Sequence, residues 1–172
     1  MGSPRSLLLI AALLCACSPA LDWREVTPPE LGVQVLFPCR PASLAREVPV
    51  LQGRSQMILF ACSAAGNTFA LSSLALNDVR DVAAAIDFLF DAAARNLRAS
   101  AGGVQPFDVP GMTPNSRAGY LVLKGRRPDG SAVAEHLLVF VRGARLYQAS
   151  VVGDAPEEAA VSTFFSGLKV AQ

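Results

Sequence analysis

The sequence holds one histidine, one tryptophan and two tyrosines among its 172 residues. A single histidine beside few cysteines is a poor donor set for zinc, which usually takes four ligands. Charge of one sign is also missing. Fifteen Lys and Arg stand against fourteen Asp and Glu, a net charge of +1. Without a long-range positive field, nucleic acid is not expected as a partner. Only 17% of residues are charged and 52% are hydrophobic, which excludes a disordered chain. No Gly-x-Ser-x-Gly elbow occurs. Gly102-Gly103 lacks the later Gly-Lys-Ser/Thr of a phosphate loop. No carboxylate cluster has the spacing of a calcium loop, and no internal repeat or heptad run is present. These absences favour a non-catalytic binding or accessory domain with no cofactor.

The N-terminus carries the strongest positive signal. Arg5 precedes an apolar run over residues 7–14, and Leu14-Cys15-Ala16-Cys17 follows at once. A membrane-spanning helix needs about 20 apolar residues. This run is about half that, which suits the core of an export signal. Leu14, Ala16 and Cys17 resemble the lipobox of bacterial lipoproteins, with Cys15 a less usual residue between them. The resemblance implies cleavage before Cys17, a diacylglycerol thioether on its sulfur and an acylated amino group. The membrane is then a partner through the acyl chains, each buried CH₂ adding about 0.8 kcal/mol. The alternative is ordinary secretion with a later cut, for example after Ala20. Ser18 is not the Asp that retains enteric lipoproteins at the inner membrane, so the expected place is the periplasmic side of the outer membrane. Loss of residues 1–16 leaves 172 − 16 = 156, enough for one domain that buries about two thirds of its unfolded surface. Loss of Arg5 brings the mature charge to zero, 14 against 14.

Cysteine counting agrees. Of four cysteines, Cys15 leaves with the leader and Cys17 is acylated. Cys39 and Cys62 remain as a pair, 23 positions apart, in an oxidising compartment. A disulfide is the expectation; two buried free thiols are the alternative.

Residues 17–31 read as the lipidated N-terminus and a tether, and 32–172 as one globular domain. Strands are expected at 33–37, 46–51, 56–62 and 68–76, the last three forming a meander. The apolar period then lengthens. Val79, Val82, Ile86, Leu89, Phe90, Ala93 and Leu97 mark one helix face, capped by Asn77 or Asp78 and ended by Gly102-Gly103. Residues 104–115 are a proline-rich loop, with a short edge strand at 104–107. A second meander follows at 116–124, 131–141 and 146–152. Asp154 is placed to cap a last helix, with Glu157 in the capping-box position. The expected fold is α+β: a curved antiparallel sheet of two meanders, with a long mid-chain helix and a C-terminal helix packed on it.

The element order resembles the PsbP-like α/β/α sandwich. The resemblance rests on a Val-x-Phe-Pro opening strand (Val35 to Pro38), a mid-chain helix, and hairpins ending in a helix with Phe164-Phe165. Such domains are often accessory subunits of larger complexes. The Phe-Pro-Cys-x-Pro stretch from Phe37 to Pro41, with the Thr-Phe-Ala strand from Thr68 to Ala70, is similar to small uncharacterised proteobacterial lipoproteins. That likeness implies no activity.

Three further residues stand out. His136 sits in a strand apolar on both faces; it is either a hydrogen-bonded core histidine or the general base of a small envelope hydrolase. Glu135 points to the opposite face, where it either pairs with Lys124 or an arginine or binds a ligand. Phe88 falls on the polar side of the helix, packed under a loop or exposed to an envelope protein partner. Arg126 and Arg127 lie on one hairpin tip and Arg142 and Arg145 flank the next, so the four are not one patch. A third possibility is a carrier of a small apolar ligand, with a closed cavity beneath residues 104–115.

Overall fold

A computed structural model describes residues 20–99 and 102–171. Nine strands and two helices are seen there. β1 (Arg24–Val26), β2 (Val33–Phe37) and β9 (Lys169–Val170) form a small sheet in the order β1-β2-β9. The main sheet is built from β3 (Ala42–Val50), β4 (Gly53–Ala64), β5 (Asn67–Ala75), β6 (Gly119–Arg126), β7 (Ala132–Arg142) and β8 (Arg145–Gly153). Its order is β3-β4-β5-β8-β7-β6, antiparallel throughout. The two expected meanders are therefore one sheet, joined where β5 pairs with β8.

The helices lie on opposite faces of that sheet. α1 (Val82–Asn96) buries Val82, Ala85, Ile86, Leu89, Phe90 and Ala93 against Leu121, Leu123, Leu137, Val139 and Val141. α2 (Glu158–Ser166) and the small sheet cover the other face, where Phe37, Phe69, Phe140 and Phe164 are fully buried. Alternation along β7 feeds both cores, which explains why its sequence is apolar on both sides.

Several expectations change. The segment 20–31 is not a free tether. It contributes β1, the Asp22 amide donates to the Pro38 carbonyl at 2.8 Å, and Leu31 is fully buried. β3 begins at Ala42, earlier than expected, because Cys39 and the proline turn bring it beside β4. A single 3-10 turn, capped by the Asp78 side chain, precedes α1. The helix ends at Leu97, before Gly102-Gly103. Arg98 takes the left-handed conformation (φ 49°), and its amide and that of Ala99 return to the carbonyls of Arg95 and Ala94. That is the Schellman arrangement, with arginine where glycine is usual. The Leu97 carbonyl then accepts from the Arg126 amide at 3.0 Å. A Cβ at Gly125 would come 2.1 Å from that carbonyl, so only glycine lets the helix end approach β6 so closely.

Phe88 is partly buried against the α1-side core and is not an exposed aromatic. Asp154 does not cap α2; Glu157 stands at the cap without a side-chain bond, and Asp154 pairs with Arg127 at 2.6 Å. The edge strand at 104–107 is reduced to one bridge, Gln105 with Tyr120.

Candidate functional site

β6 and β7 pair so that Val122 lies opposite His136, and Tyr120 and Lys124 fall one step to either side on the same face. The start of α2 and the chain before it stand over this face. Between them lies an open cleft of about 720 Å³ lined by Tyr120, Val122, Lys124, Ala134, His136 and Glu158, among others. Val122 and Ala134 give the floor an apolar part, with His136 midway between Tyr120 and Lys124. Tyr120 is held by an edge-on contact with Phe165 at 5.7 Å and by the bridge to Gln105.

The Tyr120 hydroxyl lies 2.5 Å from His136 Nδ1. Burial pushes the imidazole below its ordinary pKa; the Glu158 carboxylate opposes this and Lys124 adds to it. Burial also raises the phenol, and Glu158 raises it further. At neutral pH both rings are therefore uncharged. The phenol proton needs an acceptor, and Nδ1 is within reach. Donation from Tyr120 leaves the imidazole proton on Nε2. Nε2 has no protein partner among the described residues, and no fully buried side-chain nitrogen or oxygen there lacks one. In that tautomer Nε2 reaches the cleft as a hydrogen-bond donor, on a residue that is 7% exposed.

This geometry bears on each predicted site. His136 is not fully covered, and the one hydroxyl beside it in the cleft is the Tyr120 phenol; the cleft lining contains no Ser, Thr or Cys. Ser166 and Lys169 have Ser-x-x-Lys spacing, yet Ser166 ends α2 and Lys169 belongs to β9, so the two do not share a helix face. Glu135 faces α1, between Leu123 and Val152. The expected pairing with Lys124 is not made, because Lys124 points to the opposite face. Without an ion-pair partner among the described residues and 8% exposed, Glu135 is pushed up to about 7 by burial. The cleft and Glu135 are thus separated by the sheet, and Phe88 joins neither. Cys39 and Cys62 are joined by a disulfide, with Cα atoms 6.0 Å apart. Cys17 lies outside the described residues. Arg142 and Arg145 donate to the carbonyls of Gly111 and Glu30, at the other end of β7 from Arg126 and Arg127. Beneath the proline-rich loop lies an open groove of about 560 Å³, including Phe107, Met112 and Pro114, and not a closed cavity.

Tyr120 and Glu158 were not singled out from sequence. Tyr120 had a faint signal, since it shares a strand face with Lys124. Glu158 had none, because its place depends on how α2 docks.

No protein-family model matches the chain, and no curated protein matches it. A protein from Bacteroides thetaiotaomicron VPI-5482, with a crystal structure at 1.50 Å resolution, is similar over 88% of this chain and 50% of its own. The TM-score is 0.48 and the identity 13%, and this chain spans half the length of that protein.

Proposed function

We propose that the chain is a membrane-anchored lipoprotein on the periplasmic side of the cell envelope, and that its domain is a non-catalytic binding or accessory module. The reading rests on the Leu14-Cys15-Ala16-Cys17 sequence, set five positions before Asp22, whose amide is bonded into the fold. The Ser18 that follows Cys17 favours the outer membrane over the inner one.

The cleft supports binding more than catalysis. His136 presents a donor there, not a base, since its lone pair at Nδ1 is engaged by Tyr120. The hydroxyl beside His136 is the Tyr120 phenol, raised above its ordinary pKa by burial, and the cleft lining holds no Ser, Thr or Cys for a hydrolase reading. An imidazole donor, the Lys124 ammonium and the Glu158 carboxylate around a partly apolar floor suit a polar group borne on an apolar ligand or on a partner's side chain. The open groove beneath residues 104–115 gives less support to an apolar carrier, which needs an enclosed space.

Fractionation tests the anchor. The wild-type chain, expressed with its leader in a bacterium, should sediment with membranes and resist salt extraction. Cys17→Ala should move to the soluble fraction. A Cys17→Ala protein that stays in the membrane pellet contradicts the reading.

A further inference from the structure

The chain enters the domain at one particular end of the main sheet. The Asp22 amide is bonded to the Pro38 carbonyl, and Arg24 pairs with Phe37. β3 starts immediately beyond, at Ala42 opposite Ala61, and Cys39 is bonded to Cys62. The β4–β5 turn at Ala65-Gly66 lies at this end. The ladder carries the same end across the sheet: Thr68 to Val152, Val152 to Glu135, and Glu135 to Leu123. The β6–β7 turn therefore shares the end at which the chain enters, and the β3–β4 and β7–β8 turns occupy the opposite end.

Cys17 is five residues from Asp22. Whatever its conformation, that stretch spans at most about 18 Å, at about 3.6 Å per residue. A tether running to residue 31 would have allowed about 50 Å. An acylated Cys17 consequently holds this end close to the bilayer, within about two Debye lengths at physiological salt.

A basic groove of about 430 Å³ lies at that end, lined by Arg98, Lys124, Arg126 and Arg127 and by no acidic residue. Asp154 is paired with Arg127, and Asp129 is bonded to Ser131, both beside the groove. Arg98 reaches the groove from the left-handed position that closes α1. That conformation costs a non-glycine residue about 1–2 kcal/mol. Arginine presents a planar fork of donors suited to phosphate.

Resting on the anchor reading above, we propose that the groove of Arg98, Lys124, Arg126 and Arg127 is a phospholipid-headgroup site. It seats the domain on the same bilayer that holds the acyl chains of Cys17. The acyl chains provide attachment, which a neutral domain could not achieve by charge. The groove sets orientation, with the β6–β7 turn toward acidic headgroups and the β7–β8 turn away.

The test uses the full acylated protein, extracted from membranes and reconstituted into phosphatidylglycerol-containing or pure phosphatidylcholine vesicles. Amide hydrogen exchange is then followed by mass spectrometry. Residues 124–131 should exchange more slowly on acidic vesicles than on phosphatidylcholine, with 51–54 and 142–145 unchanged. Arg98→Gln and Arg126→Gln should each lower the docked-to-undocked ratio about fivefold. Arg54→Gln, at the opposite end, should not. Protein that is not acylated and stays in the supernatant defeats the anchor, and the orientation with it. Acylated, vesicle-bound protein that exchanges alike at both ends defeats the orientation alone.

Discussion

The amide of Asp22 donates to the carbonyl of Pro38 at 2.8 Å, only five residues after Cys17. That bond, with the β1–β2 pairing, ties the N-terminal segment into the fold. Residues 17–31 read as a short tether, with Pro28-Pro29 breaking the alternation begun at Trp23. Residues 24–26 are instead fastened to β2, and Trp23 packs edge-on against Phe69 at 6.1 Å.

The Tyr120–His136 pair should be separable from the rest of the fold. Tyr120→Phe removes the donor that stabilises the neutral imidazole. The His136 pKa should rise, read by NMR titration, and stability in urea should fall by about 1 kcal/mol. An unchanged pKa would mean that the hydroxyl does not donate to Nδ1.

Glu135 gives stability a pH dependence of defined sign. Unfolded, the carboxyl titrates near its ordinary 4.5; folded, near about 7. Between these values the folded protein holds a proton that the unfolded chain has released. The carboxyl's contribution to stability is therefore fully present below about 4.5 and is lost as pH rises through 7, by about 3 kcal/mol. His136 acts oppositely: its lowered folded pKa removes stability as pH falls below 6.5. Comparing wild type with Glu135→Gln isolates the carboxyl. The variant should be more stable at pH 8, with the declining limb abolished.

Arg98 trades stability for its side chain. Arg98→Gly relieves the left-handed strain and should raise folding stability by about 1 kcal/mol in thermal unfolding. The same variant should weaken docking on acidic vesicles. Gly125→Ala should do the reverse of the first effect, because its Cβ would meet the Leu97 carbonyl. It should unfold more readily, with loss of the helix end's seat on β6.

The Cys39–Cys62 bridge ties the segment before β3 to β4. Closing a loop of this length stabilises by about 3 kcal/mol. Replacing both cysteines with alanine should lower the urea midpoint accordingly. Non-reducing peptide mapping of protein from the periplasm should link the two cysteines; two freely alkylated thiols would contradict the bridge.

Much of the architecture was legible because alternation and helical periodicity report burial directly. The β7 sequence, apolar on both faces, announced a central strand with layers above and below, and α1 announced its buried face. Three things were not legible. The register of the β6–β7 hairpin sets Tyr120 near His136 and parts Lys124 from Glu135, and it depends on how the 127–131 turn closes, which residue types alone do not fix. β9 is two residues long, too short to show a period. Arg98 at a glycine position gives no compositional sign of a helix end, so the helix read on toward Gly102-Gly103. The candidate cleft was half visible, through His136 alone, because its other wall comes from the docking of α2.

The most direct measurement is the mass of the N-terminal peptide of the protein extracted from bacterial membranes. The account predicts a peptide that begins at Cys17, carries a diacylglycerol thioether on the sulfur and is acylated on the amino group. An unmodified peptide beginning at Ser18 or later, or an intact leader, would contradict it.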